Sequence, residues 1–319
     1  MKKLLLICAV LVCFVKANAA IAKRITVAQD GSGDYKTVQE AINAAPDRSN
    51  TRTEIFIKTG TYKERIVVPI EKTNITMIGE DVKTTVLTFD NYASKLDTAG
   101  KPLGTSRTAS FYVYGRGFSA KNITFENSAG PVGQALAIYV AGDEAAFFNC
   151  RFLGFQDTIY TNGRGTREFY KDCYIEGTTD FIFGAATAMF DNCDIFCKKG
   201  GSYISAASTL DTTKYGYVFT HCHITGSAPD NSFALGRPWR PYAKVVYLFC
   251  DLSNVISLAG WDNWRNAENE KTAYYAEYKN TGPGYQPDKR AAWSHQLTDD
   301  EAKIYTQSLI LNGWEPIKP

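Results

Sequence analysis

One short segment recurs through the middle of the chain and restricts its fold more than any other feature. "FFNCRFLG" (147–154), "YKDCYIEG" (170–177), "FDNCDIFC" (190–197) and "FTHCHITG" (219–226) all read aromatic, any residue, Asn/Asp/His, Cys, any residue, apolar. "AKNITFEN" (120–127) and "KTNITMIG" (72–79) keep the frame with Ile in the Cys place, and "YLFCDLSN" (247–254) is a degenerate last copy. Counted from Ile123, successive copies follow at intervals of 27, 23, 20, 29 and 28 residues. A fixed strand motif at irregular intervals of this size marks a solenoid. Each copy alternates apolar and polar residues as a strand does, and no long helical pattern intervenes. The expected fold is therefore all-β, a right-handed parallel β-helix. Right-handed coiling follows from the usual hand of parallel crossovers.

The ends fit a solenoid that needs closing. "YKTVQEAINAAP" (35–46) places Val38, Ala41, Ile42 and Ala45 on one helical face and stops at Pro46. A short helix there would cover the open strand edges of the first coil. In "LTDDEAKIY" (297–305), Thr298 and Glu301 have capping-box spacing, which predicts a C-terminal helix start. With no linker or low-complexity tract, residues 20–319 read as one domain.

Residues 1–19 read as a secretory leader. Lys2 and Lys3 precede an apolar stretch from Leu4 to Val15 and a small-residue site at Ala17-Asn18-Ala19. The stretch is too short for a membrane span, and no other segment is apolar enough to be one. A secreted or periplasmic protein is expected, without a membrane association after cleavage. Removing the leader takes away Lys2, Lys3 and Lys16 and no acid, which moves the formal charge from +2 to −1. A near-neutral chain has no electrostatic footprint for nucleic acid. Six cysteines remain: Cys150, Cys173, Cys193, Cys197, Cys222 and Cys250. No His pair accompanies Cys193 and Cys197, so a zinc site is not expected. Cys173 and Cys193 hold equivalent places on adjacent coils, where either a disulfide or a pair of stacked free thiols fits.

Two aspartates share one offset within this frame. Asp157 in "FQDTIY" lies seven residues after Cys150, and Asp180 in "TTDFIFG" lies seven after Cys173. In a solenoid, equal offsets stack the two side chains on rungs ~4.8 Å apart. Two carboxylates that close repel until one takes a proton, which supplies one acid and one nucleophile. Asp ladders in solenoids can also do no more than satisfy backbone groups, so a cation near the pair carries weight. "ALGRPWRPY" (234–242) offers Arg237 between Gly236 and Pro238. A guanidinium can hold a carboxylate bidentately and keep it ionised. Trp239 beside it has a flat face suited to a sugar ring.

These motifs resemble the pectinesterase (pectin methylesterase) family of carbohydrate esterases. "GTYKE" (60–64), "GQALAIY" (133–139), "QDTIY" (156–160), "DFIFG" (180–184) and "LGRPW" (235–239) occur in the family's order, and the resemblance runs from about Ile25 to the C-terminus. It implies Asp180 as nucleophile, Asp157 as general acid and then base, and Arg237 as the residue that holds the nucleophile. It further implies Gln134 and Gln156 as the oxyanion-stabilising pair. Trp239 and Trp261 are implied as substrate-stacking aromatics, and Phe181 as a cleft-lining one. No metal or cofactor is implied; the implied partner is methylated polygalacturonate, approached by a monomer.

Other chemistries on this scaffold stay open at this level. A serine esterase would need a GxSxG elbow with a His base. No such elbow occurs, and His221 and His223 sit within a repeat strand, with His295 the only other histidine. A retaining glycoside hydrolase also uses two acids at ~5 Å. A calcium-dependent lyase or a non-catalytic polysaccharide-binding protein would share the solenoid without the ester chemistry.

Overall fold

The computed structural model describes residues 23–319, so the leader expected over residues 1–19 lies outside it. Among the described residues the chain winds through three sheets of 11, 8 and 7 strands, each paired in parallel with the coil before and after. One coil runs Ala145–Phe148, Arg151–Leu153 and Ile159–Thr161, and the next runs Arg167–Lys171, Tyr174–Gly177 and Thr179–Gly184. The three stretches of each coil belong to the long, the eight-stranded and the seven-stranded sheet in turn. This is a parallel β-helix.

The repeat has a local cause. The long-sheet strand must bend sharply before the next strand, and the Asn/Asp/His place makes the bend. Asn149, Asp172, Asn192 and His221 adopt φ of 47°, 56°, 53° and 54°. This left-handed conformation is one that Asn and Asp tolerate better than most residues. Their side chains also couple rungs: the Asn149 amide donates to Asn122 and the Asn192 amide to Asp172, both at 2.8 Å. Two residues before the bend the aromatic points inward. Tyr170, Phe190, Phe219 and Tyr247 then stack through the core with centroids 4.6, 4.6 and 4.3 Å apart. Phe147 extends the column at 4.8 Å from Tyr170. One residue after the bend the buried Cys fills the corner. Among the described residues all six cysteines are free thiols, so Cys173 and Cys193 stack without a bridge. Their thiols point at main-chain carbonyls, as Cys173 does toward Lys171 at 3.3 Å.

At the N-terminal end, Val38–Ala44 forms the expected helix under a Thr37–Glu40 capping box and buries Val38, Ala41 and Ile42. The Thr298–Glu301 box also forms, but its helix is a single turn, Asp299–Ala302, followed by a second turn at Gln307–Ile310. This segment lies along the outside of the long sheet. The outward residues there are apolar (Phe148, Phe169, Met189, Leu248), and Ile310 and Leu311 cover them.

One interior group is a carboxyl. Glu168 is wholly buried and receives one hydrogen bond, from the Tyr170 hydroxyl at 2.6 Å, while its Oε1 has no partner. Burial pushes its pKa up to about 8, against the opposing hydrogen bond from Tyr170. An unfolded Glu titrates near ~4.3. Between these values the folded chain holds one more proton than the unfolded chain, so Glu168 costs stability progressively as pH rises through that window. Glu168→Gln is expected to remove this slope. Urea midpoints measured at pH 5 and pH 8 should fall further in the wild type than in the variant.

Candidate active site

The seven-stranded sheet carries the site on its outer face. Its register pairs Ile159 with Ile182 and Tyr160 with Phe183, then Phe183 with Ala206 and Ala206 with Arg237. Extending the first pairing back two residues sets Asp157 beside Asp180, and the Asp157 N–H donates to the Thr179 carbonyl at 3.1 Å. Both aspartates take left-handed φ, 66° and 51°, which turns them out of the ordinary strand alternation. Asp157 is 7% exposed and Asp180 6%.

Arg237 lies two rungs beyond Asp180, and its side chain reaches back past the small Ala206. Its Nε donates to Asp180 Oδ1 at 2.9 Å and its Nη2 to Oδ2 at 2.7 Å. The guanidinium is clasped between the rings of Tyr203 and Trp264, with Cζ 3.8 Å from each centroid. Stacking on both faces fixes the plane of the fork, so its two N–H groups can aim only at the carboxylate. Gly236 is required at this rung because a Cβ there would meet Ser205 Oγ at 2.3 Å.

The two carboxyls differ in environment. Burial pushes Asp157 well above the usual carboxylate range, the charge of Asp180 adds to this, and Arg237 opposes it. Burial also raises Asp180, but its hydrogen bonds to Arg237 and the guanidinium charge pull it back. One charge and one proton shared by the pair therefore settle with Asp180 ionised and Asp157 protonated.

Gln134 and Gln156 stand side by side, joined by a parallel bridge on adjacent rungs. Both line the same cavity of about 450 Å³ as the two aspartates, Arg237, Tyr160, Phe183, Trp239 and Trp264. A turn at Thr105–Arg107 brings Thr105 and Ser106 to its rim, and that loop is tied down by Ala93, whose N–H donates to the Gln134 carbonyl at 2.9 Å. The arrangement offers a held carboxylate, a neighbouring carboxylic acid and two amides, which is a set suited to acyl transfer.

The pectinesterase family model matches residues 24–313. The chain belongs to the pectinesterase family. Pectinesterase 31 of Arabidopsis thaliana is 44% identical over 288 residues, which span 89% of this chain and 90% of that one. The structure of a pectin methylesterase from carrot superposes with a TM-score of 0.83 at 37% identity, covering 92% of this chain and 94% of that chain. A pectin methylesterase in complex with a hexasaccharide superposes with a TM-score of 0.81 at 32% identity, covering 94% of this chain and all of its own.

Two residues expected in this pectinesterase-family groove lie elsewhere. Phe181 is fully buried and packs inward toward Phe233. The left-handed Asp180 and the register shift between Thr179 and Ile182 send Phe181 and Ile182 both into the core. Phe183 takes the cleft position, its ring stacked on Tyr160 at 4.2 Å. Trp261 is 4% exposed and packs inside against Tyr275 at 4.8 Å. The cleft tryptophan of that loop is Trp264, whose backbone N–H donates to the Asp262 carboxylate at 2.7 Å in a turn with φ of 61°. Tyr160 and Tyr203 were also not singled out from the sequence. Their only signal was an aromatic at a strand position that a known register would turn outward.

Arg237→Lys keeps a charge but loses the fork and its ring contacts. The Asp180 carboxyl should then titrate at higher pH than in the wild type, as read by carboxyl ¹³C NMR with Asp180→Asn fixing the assignment.

Proposed function

We propose that the chain hydrolyses the methyl esters of polygalacturonate in pectin, with Asp180 as nucleophile and Asp157 as acid and then base. The observation that carries this reading is the bidentate Arg237–Asp180 pair beside a second, uncompensated carboxyl. Arg237 keeps one Asp180 oxygen pair ionised and aimed, while Asp157 has burial but no such partner and holds its proton.

Asp180 adds through a carboxylate oxygen to the C6 ester carbonyl. The amides of Gln134 and Gln156 donate to the oxygen that becomes negative. The tetrahedral adduct collapses, the C–OCH₃ bond breaks, and Asp157 gives its proton to the departing methoxide, which leaves as methanol. Asp157, now a carboxylate, takes a proton from water as that water adds to the acyl-enzyme anhydride. Collapse expels Asp180 as a carboxylate and frees the galacturonic acid, whose proton passes to solvent, while Asp157 keeps the proton taken from water and is an acid again. Trp239, Tyr160 and Phe183 supply an aromatic surface for the sugar rings. The leader read from residues 1–19 directs the protein out of the cytoplasm to its polymer, as a secreted or periplasmic protein. Among the described residues no helix is long and apolar enough to cross a membrane.

Purified protein on highly methylated pectin should release methanol without shortening the chains. Chain shortening without methanol would overturn the assignment in favour of a glycosidase. Asp180→Asn and Asp157→Asn should each lower kcat by ~10³-fold or more with the fold retained by circular dichroism. Gln156→Ala should cost ~10²–10³-fold, as for one oxyanion donor. The profile of kcat/KM against pH should be bell-shaped. Its acid limb marks protonation of Asp180 and lies above the ordinary Asp range, and its alkaline limb marks loss of the Asp157 proton.

A further inference from the structure

Trp264, one of the two rings on the Arg237 guanidinium, does not sit on a strand. It belongs to the long loop between Asp251–Leu252 and Tyr274–Tyr278. Without a full ladder of hydrogen bonds, such a loop needs other anchors to keep a ring in contact with its target. On the side of the site it lies against the strand that bears Arg237. The Leu235 N–H donates to the Gly260 carbonyl at 2.7 Å, and the Asp262 N–H to the Gly236 carbonyl at 3.2 Å.

On its other side the loop is held by one buried cation. Arg290, which follows the turn Pro287–Lys289, has a side chain only 3% exposed. Its Nη1 donates to the carbonyls of Ser257 at 3.2 Å and Leu258 at 3.1 Å. Its Nη2 donates to the Gly284 carbonyl at 2.7 Å and to Glu277 Oε2 at 3.2 Å, and its Nε to Glu277 Oε1 at 2.6 Å. These five bonds use all five N–H groups of a guanidinium. The next residue adds a sixth, from the Ala291 N–H to the Ala259 carbonyl at 2.9 Å. Gly260 turns directly over the Arg290 side chain with φ of 68°, and a Cβ there would meet Arg290 Cδ at 2.6 Å.

The other end of this anchor is rigid. Glu277 is wholly buried and takes the inward place on the rung after Tyr247, where the aromatic column ends. A buried ion pair is a poor source of stability, because desolvation offsets its attraction and apolar side chains of similar volume do as well. Apolar side chains could not hold the carbonyls of Ser257, Leu258 and Gly284. The contribution particular to Arg290 is therefore orientation.

We propose that Arg290, paired with Glu277, is a positioning residue for the active site. It fixes the loop that sets Trp264 on Arg237, and so fixes the plane of the fork that holds Asp180. The kinetic part of its test rests on the esterase reading; the spectroscopic part does not.

R290K keeps a charge beside Glu277 but has three N–H groups where five are needed. R290M/E277L removes both charges and leaves none buried without a partner. In each variant the Arg237 Nε–H, assigned in ¹H–¹⁵N spectra by its loss in R237K, should exchange with water about tenfold faster than in the wild type. That is the worth of one ring contact on a shielded guanidinium. In methanol release from methylated pectin, R290K and W264L should each lower kcat by about tenfold, and R290K should cost nothing further in the W264L background. A wild-type exchange rate at Arg237, or losses that multiply in the double variant, would overturn the proposal. Failure of both variants to fold would also overturn it, since the pair would then support the fold and not the site. No methanol from the wild type would overturn the esterase reading alone and leave the exchange rate to decide the role of Arg290.

Discussion

The rung-to-rung register of the parallel coils is the constraint on which the rest of this structure depends. Successive rungs are locked at ~4.8 Å by backbone hydrogen bonds, and the column Phe147–Tyr170–Phe190–Phe219–Tyr247 keeps them from slipping. A slip of one residue would turn each inward side chain outward. The same lock holds Asp157 against Asp180 and puts Arg237 within reach of the latter. Residues separated by 57 positions in the chain meet because two rungs of backbone leave them nowhere else to be.

Within that frame the site is an exercise in unequal compensation. Both aspartates are nearly buried, which alone would favour two neutral acids. The fork of Arg237, clamped between Tyr203 and Trp264, compensates one of them. The result is a proton on Asp157 and a charge on Asp180, set by position and not by residue type. The left-handed conformation of both aspartates serves the same end, since it brings polar side chains out of a strand whose next residues fill the core.

The solenoid, its N-terminal cap and the pairing of Asp157 with Asp180 were legible in the linear sequence. They follow from counting: a repeat of aromatic, turn residue and Cys, and two acids at one offset from it. The C-terminal helix start was legible too, because the Thr298–Glu301 box is a local signal, but its length was not. That depends on the apolar outer face of the long sheet, which a neighbour on the sequence cannot report. The aromatic lining was the least legible. Phe181 and Phe183 are both odd positions of one strand, and only the bulge after Asp180 decides that the first goes in and the second out. Trp261 and Trp264 are separated in the same way, by a turn whose dihedral angles have no strong sequence mark. The thiol state of Cys173 and Cys193 likewise belongs to the packed corner and not to their spacing.

What the sequence determined by itself is the periodic part of the molecule, because side-chain alternation and the tolerance of Asn and Asp for a left-handed bend act over a few residues. The tertiary structure alone decided which aromatics face the cleft and that Tyr203 and Trp264 clasp the guanidinium. Those outcomes depend on irregularities and on contacts between distant rungs, where orientation is fixed by packing and charge compensation that no local pattern encodes.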